Sequence, residues 1–238
     1  MVMLKMKIYN KSSKKDIMKM VTKLESVYKD AKCGLDYNSP FSLVISLILA
    51  AQCTDARVNV ICPILLSKYP NASSLSKANI DDIEKIIYPC GFYKNKAKNI
   101  KGCCEKIVND FDGKVPDTMD ELVSLPGIGR KSANIILQEC FDKTVGIAVD
   151  THVTRITRKM GISNKDSQEK IEMELMKKLP KYYWNKINHI LVNHGRKYCI
   201  AKKPDCINCP INNLSELRSL SLIISLEEIP KDFAIVSI

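Results

Sequence analysis

The 238-residue chain is long enough for one large domain or two small ones with a sizeable core, and 45% apolar with 26% charged residues is ordinary for a water-soluble fold. Its formal net charge of +11 is not ordinary, and it points to a polyanionic partner, either nucleic acid or an anionic membrane surface. The composition argues against a secreted disulfide scaffold and against a membrane span. MVMLKMKIYNKSSKK lacks the uninterrupted apolar core and cleavage site of a signal peptide, PFSLVISLILAAQC (40–53) is too short to cross a bilayer, and the ten cysteines read as thiols or metal ligands.

In chain order, residues 1–13 read as a basic arm. Val, Ile and Leu then recur every three or four residues, with no period-2 strands, which predicts an all-α protein. The predicted helices are 14–30, 40–52, 55–68, 79–88, 94–110, 118–125, 130–141, 149–159, 167–178 and 181–195. Connectors at Tyr69-Pro70-Asn71, Cys90-Gly91, Asp112-Gly113, Gly161 and Pro180 separate them. Thr118 with Glu121 has the pattern of a capping box at the start of 118–125. Cys33, Cys53, Cys62, Cys90, Cys103, Cys104 and Cys140 have no ligand spacing and read as small core residues. From about residue 214 the chain turns apolar, acidic and poor in lysine, unlike what precedes it.

Residues 125–137, LPGIGRKSANIIL, put Pro126, Gly127 and Gly129 between two helices, with Arg130 and Lys131 opening the second. Glycines allow a tight turn and close approach by another molecule, and a helix N-terminus offers backbone N–H groups to an anion. A phosphate-gripping hairpin and a plain glycine turn both fit. A nucleotide-binding P-loop does not, because Arg130 stands where a glycine is needed and no strand precedes it. The third glycine of a dinucleotide fingerprint is also absent. Lys131 reads either as a phosphate contact or as an amine nucleophile kept neutral by neighbouring positive charge. Asp150, in VGIAVDTHVTRITRK (145–159), reads as a helix N-cap on periodicity alone.

LPGIGRKSANIIL followed by AVDTHVTRI is similar to the helix–hairpin–helix Gly-Pro-Asp (HhH-GPD) DNA glycosylases, and within them to the endonuclease III family. The resemblance runs from about Tyr37 to Cys209 and takes in PFSLVISLILAAQCTDARVN (40–59), GFYKNKAKNI (91–100) and HGRKYCIAKKPDC (194–206). It implies a two-lobed all-α fold. A six-helix barrel domain would span 33–143, with the hairpin at 118–141, and a discontinuous second domain would span 14–32 plus 144–215, leaving 216–238 as an atypical tail. Lys131 then matches the Schiff-base lysine and Asp150 the catalytic aspartate, which implies a bifunctional glycosylase and abasic-site lyase acting on oxidised pyrimidines.

The same resemblance assigns DNA contacts to Gln52, Phe92, Gly127, Gly129, Arg130, Arg196, Lys202 and Lys203. Gln52 matches the residue that fills the vacated base stack, and Phe92 stands where the family's intercalating leucine is usual. Asp55 and His152 resemble pocket residues, with helix capping the other reading of Asp55 and packing that of His152. The implied partner is double-stranded DNA carrying a damaged pyrimidine or an abasic site, met by a monomer in the cytoplasm at the nucleoid.

Cys199, Cys206 and Cys209 form C-x₆-C-x₂-C, a spacing suited to iron–sulfur or zinc. The resemblance implies a 4Fe-4S cluster with a fourth cysteine six positions on, where this chain has Ser215. A serine oxygen ligand, an exogenous ligand and loss of the cluster all remain open. Two further functions stay open on the sequence: a DNA-binding module without catalysis, and a mismatch-directed pyrimidine glycosylase.

Overall fold

Helix-forming periodicity and well-placed caps dictate most of the architecture. A computed structural model describes residues 12–214, so Ser215, most of the basic arm and the tail lie outside the described residues. Eleven α-helices and three short 3₁₀ turns, with no strand, make up the described chain, so the all-α expectation holds.

The first helix, α1 (Lys14–Val27), is capped by Ser13, whose hydroxyl accepts from the Asp16 N–H, and it buries Ile17, Met20, Val21 and Leu24 on one face. In α2 (Pro40–Leu49) Ser39 and Ser42 cap one another reciprocally, Pro40 takes the position where its missing N–H costs nothing, and Ser42 through Leu49 are all buried. A helix apolar on every side has to be surrounded. Here α3 (Asp55–Lys68), α6 (Tyr93–Asp110) and α8 (Arg130–Phe141) pack around it. Truncating Leu43 or Ile45 to alanine is expected to cost about 2–5 kcal/mol, the usual range for a buried aliphatic residue.

Three short helices complete this region: α4 (Ala72–Ser76) and α5 (Ile80–Ile87) against α6, and α7 (Met119–Val123) against α8. The sequence reading had no helix at 72–76; Asn71 and Ser74 form a reciprocal cap there that starts one in a serine-rich stretch. The remaining helices are α9 (Thr151–Lys159), α10 (Gln168–Lys178) and α11 (Ile187–Lys197). The single helix expected over 181–195 is divided, because Lys181–Tyr183 forms a 3₁₀ turn before α11 begins.

The chain divides into two units. One is Lys32–Ala148; the other takes residues 12–31 and 149–214 of the described chain. The second crossing lies later than the 143/144 junction read from sequence. Residues 144–148 belong to the first unit because Gln138 Nε2 donates to the Gly146 carbonyl at 2.8 Å and Ala148 is buried in its core. The second unit has its own core, with α11 packed on α1 and α9. Of the seven cysteines read as core residues, Cys62, Cys90, Cys103 and Cys104 are buried, whereas Cys33, Cys53 and Cys140 are half-buried.

Candidate functional site

The glycine-rich segment is a hairpin between α7 and α8. The Leu125 N–H donates to the Leu122 carbonyl and the Ile128 N–H to the Leu125 carbonyl, giving two successive tight turns anchored by the buried Leu125 and Ile128 side chains. Gly127 has φ +83°, and a Cβ built there would lie 3.1 Å from Asn99 Cβ and 3.3 Å from Ile48 Cγ1, so the fold itself demands glycine. Gly129 is different. Its φ of −97° suits any residue, and an added Cβ would meet nothing within 4 Å. Ahead of the hairpin the capping box at Thr118 is altered: Thr118 accepts from the Glu121 N–H, but its hydroxyl donates to the Glu121 carboxylate at 2.6 Å in place of the expected reciprocal bond.

Gly129 is also the N-cap of α8, and no side chain caps that helix. Eight of the described α-helices start on a Ser, Thr, Asn or Asp side chain; α6, α8 and α11 do not. An α8 entrance with free space at Gly129, exposed Arg130 and the positive end of the helix dipole suits a phosphate oxygen.

Lys131, second in α8, is half-buried. Burial pushes the nearby Cys33 thiol up, Glu139 and Asp55 push it the same way, and the Lys131 charge opposes them. Lys131, Asp55, Glu139 and Cys33 therefore share one neighbourhood. Asp55 does not cap α3, since Thr54 does so by accepting from the Arg57 N–H. The Asp55 carboxylate instead lies over Gly34, where a Cβ would sit 2.6 Å from its Oδ2. Tyr37 donates to Glu139 at 2.5 Å, and Asn59 holds both the Gly34 carbonyl and the Asp36 N–H at 3.0 Å. The 33–37 loop is thus stitched to α3 and α8. Sequence reasoning missed Gly34, Tyr37, Asn59 and Glu139 because only tertiary folding brings the 33–37 loop to α3 and α8.

Asp150, in the other unit, caps α9: its Oδ1 accepts from the Val153 N–H at 2.9 Å, and its Oδ2 lies 3.7 Å from His152 Nδ1. His152 also packs on α11, where a Cβ at Gly195 would lie 2.8 Å from its ring. That contact explains the glycine inside a helix, a signal the sequence carried unread.

Gln52 and Phe92 share an unusual backbone. Four non-glycine residues of the described chain have positive φ; two are aspartates beside helix C-termini, Asp112 and Asp142, and the others are Gln52 at +52° and Phe92 at +47°. Neither Gln nor Phe favours this conformation, and Phe92 is 63% exposed although it is a large apolar side chain. Each ends a turn that presents its side chain outward.

On α11 and the loop after it, Arg196, Lys202 and Lys203 are exposed. The Arg155 guanidinium fastens the loop by donating to the Cys199 carbonyl at 2.9 and 3.2 Å, and the Asp205 N–H bonds the Tyr198 carbonyl. Cys199, Cys206 and Cys209 lie near enough that each thiolate charge opposes the next, and burial pushes the Cys206 and Cys209 thiols up. Among the described residues no three His, Cys, Asp or Glu side chains converge on a single metal ion. Cys199, Cys206 and Cys209 are soft thiol donors of the kind an iron–sulfur centre takes, and Ser215, the fourth position, lies outside the described residues. His194 lies beside the cysteine loop: its Nε2 is 3.7 Å from Cys209 Sγ and its Nδ1 3.2 Å from the Tyr28 hydroxyl.

The model of the HhH-GPD superfamily base excision DNA repair proteins matches residues 45–181. Endonuclease III of Synechocystis sp. is 42% identical over 203 residues, covering 85% of this chain and 93% of that protein. Two solved structures, a non-covalent endonuclease III–DNA complex and a trapped endonuclease III–DNA covalent intermediate, each superpose with a TM-score of 0.84 at 35% identity, covering 89% of this chain and 99% of theirs. The chain belongs to the HhH-GPD superfamily of base excision DNA repair proteins, in its endonuclease III family. Its activity is that of a base excision repair DNA glycosylase. Among the described residues no helix is long and apolar enough to cross a membrane.

Proposed function

We propose that the protein is a bifunctional glycosylase and abasic-site lyase for oxidised pyrimidines, with Lys131 as nucleophile. The observation that carries this reading is a lysine in the first turn of the uncapped, glycine-fronted helix α8, in a chain that superposes on a trapped covalent endonuclease III–DNA intermediate.

A duplex conceals C1′ of the target nucleotide, so the damaged base has to leave the stack at a cost of a few kcal/mol. The α8 entrance, Gly127, Gly129 and Arg130 grip a phosphate beside the flipped nucleotide, Gln52 occupies the vacated stack, and Phe92 wedges beside it. The Asp150 carboxylate stabilises the positive charge that develops at C1′. The Lys131 amine attacks C1′, the base departs, and the resulting imine acidifies C2′ so that β-elimination breaks the strand on the 3′ side. Asp55 and His152 border the reacting nucleotide. Arg196, Lys202 and Lys203 hold backbone phosphates.

Cys199, Cys206 and Cys209 are the residues that would hold a 4Fe-4S cluster, and the cluster's contribution when bound is to stiffen the loop bearing Lys202 and Lys203. The chain acts as a monomer on cytoplasmic, nucleoid DNA. Incubation with a duplex carrying one thymine glycol tests the reading. It expects strand cleavage leaving a 3′ unsaturated aldehyde, whereas base release without cleavage would favour a monofunctional glycosylase, and binding without either product would reduce the protein to a DNA-binding module.

A further inference from the structure

Gly195 lies inside α11, where glycine costs stability relative to alanine, and it is not among the glycines whose positive φ requires that residue. What it supplies is space. A Cβ there would stand 2.8 Å from His152 Cδ2, 3.0 Å from Arg155 Nη2 and 3.0 Å from Ile156 Cδ1. These three side chains, spaced three and four residues apart, share one face of α9, and α9 packs on α11 within the same unit. The Arg155 and Ile156 atoms are the far ends of flexible side chains and can yield by a small rotation. His152 Cδ2 belongs to a rigid ring, one bond from Cγ, so the whole imidazole would have to turn.

The direction of that turn decides its effect. Cδ2 and Nδ1 flank Cγ on opposite edges of the ring, and Nδ1 faces Asp150 Oδ2 at 3.7 Å, beyond hydrogen-bond reach. The other Asp150 oxygen is already committed, accepting from the Val153 N–H at 2.9 Å. Oδ2 is therefore the oxygen left for the positive charge at C1′. An imidazole pushed from its Gly195 edge closes on Oδ2, and about half an ångström brings an Nδ1–H within bonding range. Both carboxylate oxygens would then be occupied by the protein.

We propose that Gly195 is a positioning residue for Asp150: its missing side chain seats the His152 ring short of Oδ2 and keeps that oxygen available to the reacting nucleotide. In this role Gly195 acts only through His152. The consequence for catalysis rests on the assignment of Asp150 as the carboxylate that stabilises charge at C1′. A second route runs from the same glycine. Arg155 donates to the Cys199 carbonyl at 2.9 and 3.2 Å, so a side chain at 195 that displaced Arg155 would loosen the loop bearing Lys202 and Lys203. That route would lower affinity for DNA, whereas the route through His152 lowers the rate of base release and leaves affinity alone.

The test is a double-mutant cycle on the full-length protein: wild type, Gly195→Ala, His152→Ala and the two together. Single-turnover base release is measured on a duplex carrying thymine glycol, and affinity on a duplex with a reduced abasic site. Gly195→Ala should release base roughly tenfold more slowly than wild type, with affinity within about twofold. In the His152→Ala background the same substitution should change the rate by less than about twofold, because the ring through which it acts is gone. A crystal structure of Gly195→Ala should place His152 Nδ1 about 3 Å from Asp150 Oδ2. Full rate in Gly195→Ala overturns the proposal, and so does an equal loss with and without the ring, or a loss of affinity in place of rate. Should Gly195→Ala fail to fold, the double variant has to fold, since removing the ring makes the room; a double variant that stays unfolded also overturns it. A wild type that releases no base would instead refute the assignment of function, and the crystal structure would still decide whether the ring moves onto Oδ2.

Discussion

The entrances of α8 and α9 solve one problem in opposite ways. Every helix starts with unsatisfied N–H groups. At α9 the chain supplies its own anion: Asp150 bonds the Val153 N–H through one oxygen, and the other lies toward His152. At α8 it supplies none, since Gly129 has no side chain, open space surrounds it, and Arg130 and Lys131 follow. The first entrance is complete by itself and leaves half a carboxylate for chemistry. The second has no side-chain cap and leaves room for an external anion, which suits a protein that holds a DNA phosphate.

The largest expected effect tests Asp150. Asn caps a helix about as well as Asp, so Asp150→Asn should keep its melting temperature while glycosylase turnover falls about 10²–10⁴-fold. A variant that melts early and keeps its rate would make the cap its whole role. Next comes a substitution that makes α8 resemble α9. Gly129→Asp has an allowed backbone and room for its side chain. It should leave thermal stability within about 0.5 kcal/mol, because a capping side chain gains only a few tenths over glycine, while binding of undamaged duplex weakens roughly tenfold through repulsion of the phosphate. Unchanged binding would mean that the α8 entrance does not hold phosphate.

Gly127→Ala sharpens the contrast within the hairpin. Positive φ and the contact with Asn99 should cost it about 1–2 kcal/mol of folding stability in urea unfolding, whereas Gly129→Ala should lose only about 0.5 kcal/mol, the margin by which alanine caps a helix worse than glycine. Equal losses at both glycines would remove the distinction between a glycine needed by the fold and one needed by the ligand. Smallest of all, Lys202→Ala and Lys203→Ala should each lower the slope of log affinity against log salt by about 0.9 without altering lesion preference. A slope that stays put would take these lysines off the DNA.

What could be read from sequence follows the range of the interactions involved. Helices α3 and α8 were legible to the residue, because Thr54 and Gly129 mark their starts locally. Helix α4 was not, since its signal is a two-residue cap inside a polar stretch, and α11 starts late because the Lys181–Tyr183 turn carries apolar periodicity without α-helical geometry. At the site, the hairpin, Lys131 and the Asp150 cap lie in contiguous motifs. The 33–37 loop, where Lys131, Asp55 and Glu139 all act on Cys33, joins segments about a hundred residues apart, as the Tyr37–Glu139 bond does, and no local pattern announces such a pairing. The Cys209–His194 contact is hidden for a different reason: the histidine precedes the thiol by a spacing that matches no metal motif.

The measurement that bears most directly on the account is borohydride trapping on a duplex carrying thymine glycol, run with wild type and Lys131→Gln. The account expects a covalent protein–DNA adduct from wild type and none from Lys131→Gln, with both proteins folded and bound to the duplex. An adduct that persists in Lys131→Gln would move the nucleophile elsewhere, and no adduct from DNA-bound wild type would contradict an imine mechanism on this lesion.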